Sequence, residues 1–206
     1  MCSSVKVLSG NQTMRVWKDV YTPAEDSFLL ADNLTVRKGD HVLDVGTGCG
    51  LLAILAASSA AKVVATDINP NAVRCAKENA EMNCVRDKIS FVQGDLMAPI
   101  RIAEKFDLIL FNAPYLPSCN KEEESSWLGR AWAGGTSGRH VINRFISESP
   151  KFLSPTGIIL MIQSTLSGLE ETTSQFKKQG LKTDIVAQND LPLFETIILF
   201  KAGWFK

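Results

Sequence analysis

Short apolar runs rich in β-branched residues alternate along the chain with segments whose apolar positions recur at helical spacing. HVLDVG at His41–Gly46 reads as a first buried strand and LLAILAASS at Leu51–Ser59 as a helix. KVVATDI at Lys62–Ile68 is a second strand. It is followed by a helix at Pro70–Met82, with Asn69 as N-cap, Pro70 at the first helical position and Val73, Ala76 and Ala80 on the inward face. Ile89–Gln93 and Phe106–Phe111 continue as strands three and four, and Leu116–Thr136 shows no periodicity, a loop long enough to expect a function of it. A helix over Gly138–Phe152, a strand at Ile158–Gln163, a helix at Thr165–Gln179 and two closing strands, Leu181–Gln188 and Glu195–Lys201, complete the series. The alternation predicts an α/β fold, a mostly parallel, doubly wound, Rossmann-like sheet made mixed by an antiparallel closing hairpin. Ahead of it, Asp19–Asn33 is an amphipathic helix with a capping box in Thr22-Pro23-Ala24-Glu25, giving a helical N-terminal extension over residues 1–40 and a core domain over 41–206.

Composition narrows the picture. The chain has 206 residues, 45% of them hydrophobic, which suits one domain with a sizeable core. Its 22 basic and 22 acidic residues leave no net charge, so a broad nucleic-acid footprint is not expected. The five cysteines include no C-x-x-C pair, which argues against a disulfide framework or a metal site and for reduced thiols in a cytoplasmic setting. The N-terminus has no apolar core of signal-peptide length, and no apolar run reaches the length of a membrane span.

The candidate chemistry gathers at strand ends. Asp44 closes strand one and is followed by Gly46, Gly48 and Gly50, residues that let backbone approach a ligand closely. Asp67, roughly twenty residues on, stands where doubly wound folds place an acid on ribose hydroxyls. Because Asn69 already caps the helix, Asp67 is read as free for a ligand. Asp95 follows strand three, its carboxylate suited to an adenine amine and the neighbouring Leu96 to the base. Three acids at one rim of a sheet point to a polar ligand. The glycine spacing G-T-G-C-G fits neither a dinucleotide fingerprint nor a P-loop.

Asn112-Ala113-Pro114-Tyr115 ends strand four abruptly. The Asn112 side-chain oxygen and the Ala113 carbonyl can accept hydrogen bonds from a planar N–H group, Pro114 fixes the turn, and Tyr115 offers a flat π-face. Accepting from such a nitrogen orients it and favours a more positive transition state. No general base is evident. His41 and His140 both read as surface or capping residues.

At this point the sequence resembles the seven-stranded S-adenosylmethionine-dependent methyltransferases, with the resemblance covering about 42–201. It implies that Asp44 lies near the methionine amino group, that Gly46 and Gly48 approach the cofactor, that Asp67 with adjoining Ile68 holds the ribose, and that S-adenosylhomocysteine is the product. Asn112–Tyr115 resembles the N-P-P-Y motif of amino- and amide-nitrogen methyltransferases, with Ala113 where the family has proline. That position serves through its carbonyl, so a slightly looser Asn112 is expected rather than a dead site. DVYTPAEDSFLLADNL, TDINPNA and RAWAGGTSGRHVINRF are together similar to HemK-like protein-glutamine methyltransferases of the eukaryotic and archaeal branch, which act on the Gly-Gly-Gln motif of class I release factors. This resemblance implies that Ser27 and neighbouring Glu25 close over the cofactor and that the Ala131–Gly135 loop, with Trp132 as a wall, shapes the substrate side. It further implies a small zinc-binding, Trm112-like activator on the edge strand 89–93. Glu122–Glu124 reads as a solvated acidic loop. The alternatives are transfer to an adenine amine or a protein lysine, or a non-catalytic scaffold.

Overall fold

The computed structural model describes residues 5–9, 12–118 and 125–204. Two short strands, β1 (Val5–Ser9) and β2 (Gln12–Val16), form an antiparallel pair ahead of helix α1 (Glu25–Asp32). The alternating series then runs β3 (His41–Val45), α2 (Leu51–Ala57), β4 (Lys62–Asp67), α3 (Pro70–Met82), β5 (Ile89–Gln93) and β6 (Phe106–Asn112). A four-residue helix α4 (Trp127–Arg130) interrupts the long loop. The chain closes with α5 (His140–Glu148), β7 (Leu153–Ser164), α6 (Leu169–Lys178), β8 (Lys182–Asp190) and β9 (Thr196–Gly203).

Seven strands form one sheet in the order β5-β4-β3-β6-β7-β9-β8, the expected mixed and mostly parallel arrangement. β9 runs antiparallel to both of its neighbours. β3, β4 and β6 are buried almost throughout, as strands covered by helices on both faces must be. On one face the rings of Phe111 and Phe145 stack at 4.3 Å and pin α5 to β6. β5 is one edge of the sheet, as anticipated, and β8 is the other.

The N-terminal extension departs from the expected helix. Its first part is the β1–β2 pair, and α1 starts only at Glu25, with Ala24 extended at the N-cap and no side-chain cap. The capping box therefore does not form. The preceding segment is instead tied across the sheet rim, where the Asn69 side-chain amide donates to the Asp19 carbonyl at 2.7 Å. β2 is held by asparagines of α3. Asn79 accepts from the Arg15 amide at 2.8 Å and donates to the Arg15 and Cys49 carbonyls, and Asn83 brackets Thr13 in the same way. Side-chain amides thus satisfy a strand that an isolated two-stranded ribbon would leave marginal. On α3, Ala76 and Ala80 face inward as expected, while Val73 is half-buried and Ala72, Cys75 and Asn79 complete the buried face.

Gly50 sits at the N-cap of α2 with φ +90°, and a Cβ there would lie 2.9 Å from the Ala76 Cβ on α3. Gly50→Ala combines an unfavourable backbone conformation with a steric clash and is expected to destabilise the protein by roughly 2 kcal/mol. The urea unfolding midpoint of this variant checks the effect.

Candidate active site

The carboxyl ends of β3, β4 and β6 open onto a cavity of about 660 Å³, within the range of small-ligand sites. Its lining includes Gly46 and Gly48 after β3, Asp67 and Ile68 after β4, Asp95 and Leu96 after β5, and Asn112 and Pro114 after β6. Residues distant in sequence are thereby brought to one rim because the crossovers are parallel and return every strand in the same direction.

Asp44 is 1% exposed. Its Oδ2 accepts from the Thr47 hydroxyl at 2.7 Å and the Ala53 amide at 3.1 Å, while among the described residues Oδ1 has no hydrogen-bond partner. Burial pushes this carboxyl up to about 7, against the opposing pull of those two donors. Gly46 and Gly48 have positive φ, and a Cβ on Gly48 would meet nothing within 4 Å, so this backbone faces open cavity. The Asp67 carboxylate is engaged by backbone once at each oxygen, which leaves acceptor capacity on both. Oδ2 accepts from the Gly48 amide at 2.9 Å and Oδ1 from the Asn69 amide at 2.8 Å, locking the glycine loop to β4. Burial raises its pKa as well. Asn69 does cap α3, accepting from the Asn71 amide. Asp95 Oδ2 pairs with Arg144 of α5 at 2.7 Å, a half-exposed bridge between two residues that both line the cavity.

Asn112 closes β6. Its amide nitrogen donates to Ser27 Oγ at 3.2 Å, and its Oδ1 is enclosed without a partner among the described residues. Ser27, on α1, lines the same cavity. Glu25 does not. It is exposed and outside the lining, because the helix turns the next residue, Asp26, inward. Asp26 is 4% exposed and accepts from the Ser27 amide and hydroxyl and from the hydroxyls of Tyr21 and Tyr115. Asp26 and Tyr21 were not singled out in the sequence. The only signal available was the alternation of an exposed and an inward acid in Glu25-Asp26.

Tyr115 departs from its expected role as a stacking face. It is buried, its hydroxyl is on Asp26 at 3.3 Å, and it lies behind the lining rather than in it. Burial and the Asp26 charge push its hydroxyl well above the usual phenol range. Trp132 is likewise absent from the lining. Its backbone is taken by the loop's own closure, with its carbonyl accepting from Leu116 and its amide donating to Gly129, and the indole that reaches the cavity is Trp127 of α4. Arg130 stacks over Trp127 at 5.2 Å. Ala131, Ala133 and Gly135 do line the cavity, so the loop borders it through small residues. Glu122–Glu124, Cys2 and Cys119 lie outside the described residues. Cys49 and Cys75 are buried free thiols, and no helix among the described residues is long and apolar enough to cross a membrane.

The residues fit a ligand that brings positive charge and hydrogen-bond donors. Asp44 Oδ1 is an unsatisfied buried acceptor just behind the lining, the Gly48 backbone after it is uncovered, and Asn112 Oδ1, at the end of the adjacent strand β6, is a second unsatisfied acceptor among the described residues.

The family model for ribosomal protein L11 methyltransferase (PrmA) matches residues 27–113. A Methanocaldococcus jannaschii protein, named provisionally as a protein N5-glutamine methyltransferase, is 43% identical over 90% of this chain and 93% of its own. The human protein named methyltransferase HEMK2 is 38% identical over 81% of each chain. Among solved structures, the E. cuniculi Mtq2–Trm112 complex, described as methylating the eRF1 translation termination factor, superposes with a TM-score of 0.68 at 25% identity, covering 90% of this chain and 98% of that one.

The Asp44 carboxyl ionises near pH 4 in an unfolded chain and at about 7 in the native one. Its contribution to stability is therefore full below about pH 4 and is lost as pH rises through about 7. Asp44→Asn is expected to flatten this fall and, at pH 8 without ligand, to exceed the native protein in stability by on the order of a few kcal/mol. Urea unfolding at pH 4.5, 6 and 8 measures both.

Proposed function

The chain belongs to the HemK-like protein-glutamine methyltransferases, and we propose that its substrate is the side-chain amide of the glutamine in the Gly-Gly-Gln motif of a class I release factor. The single observation that carries the site assignment is Asn112. Its amide nitrogen is committed to Ser27 Oγ, which fixes the side chain with the unpartnered Oδ1 as an acceptor at the cavity.

When bound, S-adenosylmethionine supplies an electrophilic methyl group on a sulfonium. Asp44 would meet its ammonium, Gly46 and Gly48 its backbone-facing portion, Asp67 and Ile68 its ribose, and Asp95 with Leu96 its adenine; Ser27 borders it from α1. The difficulty in the substrate is a nitrogen lone pair delocalised into the amide. Asn112 Oδ1 accepts one N–H of the entering amide and the Ala113 carbonyl the other. Together they hold the nitrogen in line and favour the more positive, more pyramidal arrangement over the planar one. As positive charge develops the nitrogen becomes acidic, and its proton passes to water, so orientation does the work a strong base would otherwise do. Pro114 and the Asp26-anchored Tyr115 set the turn. Transfer to a purine amine would leave a cavity bordered by Asp95 and buried acids facing a phosphate backbone, which the charge disfavours.

The exposed edge of β5 supports pairing with a Trm112-like partner by strand addition. Phe91 is half-buried there beneath Arg86, at 5.3 Å from its ring, and Met82 is exposed nearby. A reaction on a translation factor also supports a cytoplasmic location.

Labelled methyl transfer is measured on a release factor, on its Gln→Ala version and on DNA, each with and without a Trm112-like protein. Label is expected on the first alone; label on DNA and not on the release factor would overturn the reading. Asn112→Ala is expected to lose about 10²–10³-fold in transfer while still binding S-adenosylhomocysteine in calorimetry. Ala113→Pro restores a restriction on Asn112 and is expected to keep or raise turnover in the same assay.

A further inference from the structure

Resting on that reading of the site, we propose that the tip of the β8–β9 hairpin, residues 191–195, docks the polypeptide that flanks the accepting glutamine, with Phe194 as its apolar anchor. Phe194 is fully exposed and holds φ +64°, a backbone conformation that large L side chains rarely adopt. A strained, solvated aromatic ring contributes nothing to the fold, and such positions concentrate where something binds. The tip is nevertheless well fastened. The Leu191 amide donates to the Glu195 carbonyl at 2.8 Å, the Thr196 amide to Thr165 Oγ1 at 3.1 Å and the Thr196 hydroxyl to Asp190 at 2.8 Å.

Its position is that of a substrate platform. Asn112 pairs with Ile162 on β7, and Ser164 two residues later pairs with Ile197 on β9, so the tip rises from the same carboxyl rim. It stands two strand spacings, about 10 Å, from the strand bearing Asn112. Between them lies the turn Thr165–Ser167, whose Leu166 is 53% exposed. That turn abuts the motif itself. Gly138 occupies the gap, and a Cβ on it would lie 2.2 Å from the Tyr115 carbonyl oxygen and 3.0 Å from the Ser167 Cβ. Leu166 and Phe194 therefore extend the rim outward from Tyr115. Beside Phe194, the half-buried Glu195 has Oε1 enclosed without a partner among the described residues, an acceptor suited to an N–H of an entering chain. The Glu195 charge, after burial, Asp26 and Tyr21, adds to what pushes the Tyr115 hydroxyl up. Apolar side chains flanked by the carboxylates of Asp190 and Glu195 suit polypeptide and repel phosphate.

The test varies full-length class I release factor, and separately a short peptide containing its glutamine motif, in methyl-transfer assays with the Trm112-like protein present. Phe194→Gly is expected to raise KM for the release factor about tenfold, as loss of one buried apolar anchor would. kcat, S-adenosylhomocysteine affinity and turnover of the short peptide should stay within about twofold, since Phe194 lies outside the cavity. Phe194→Leu should retain most of the native KM. The thermal midpoint of Phe194→Gly should equal or exceed the native value, because strain is relieved and no packed contact is lost. An unchanged KM in Phe194→Gly would overturn the proposal. So would a concentration-dependent dimer that the substitution abolishes, which would assign the patch to a second copy of the chain. If the native protein itself transferred nothing to the release factor, the reading of the site would fail first and this proposal with it, a result distinguishable because variant and native would be alike.

Discussion

Asp26 accepts hydrogen bonds from Tyr21, Tyr115 and both the amide and hydroxyl of Ser27, and the front wall of the cavity depends on that one carboxylate. Buried at 4% exposure, it has to be compensated, and its partners come from three separate pieces of chain: the N-terminal segment, α1 and the loop after β6. Its place in the first turn of α1 adds a favourable interaction with the helix dipole. Charge-assisted hydrogen bonds of this kind contribute roughly 1.5–3 kcal/mol each, enough to hold a segment that would otherwise fray. The consequence reaches Asn112, because Ser27, positioned by Asp26, is the group that takes the Asn112 amide.

This arrangement bears on Ala113. In the related motif a proline at this position would restrict Asn112 through its backbone. Here the backbone is freer, and the side chain is held through Ser27 instead. Asn112 also remains within the ladder, paired with Ile162, so its main chain is fixed by the sheet up to the last residue before the turn. Side-chain tether and sheet register together do what a second proline would do, and Ala113 is buried at 3% exposure.

The opposite wall follows a different logic. Asp44 and Asp67 are both acids whose pKa burial raises, and the Asp67 charge adds to the cost of ionising Asp44. Asp67 is offset by two backbone amides, whereas Asp44 keeps one oxygen unsatisfied. An enclosed carboxyl oxygen without a partner is how a site can favour a positively charged group without a large surface potential. The zero net charge of the chain is compatible with this, because the acids concerned are few and deeply placed.

The chain's sequence determined the parts of this design that depend on near neighbours. Strand–helix alternation, the Gly46–Gly50 turn, the Asn69 cap and the abrupt end of β6 all rest on local periodicity and backbone preference, and each stands where the pattern placed it. Tertiary structure decided the rest. Asp26 and Tyr115 are separated by 89 residues and Asp95 and Arg144 by 49, so no local pattern could pair them. That Asp26 rather than Glu25 turns inward depends on where α1 starts, at Glu25 with Ala24 as N-cap and without the Thr22 cap. That Trp127 rather than Trp132 reaches the cavity depends on the zipping of Leu116 and Ser118 onto the returning loop. Sequence fixes which chemical groups are available at the rim; only the packed chain can choose among them, because a buried polar group's partner is whichever donor the fold brings within reach.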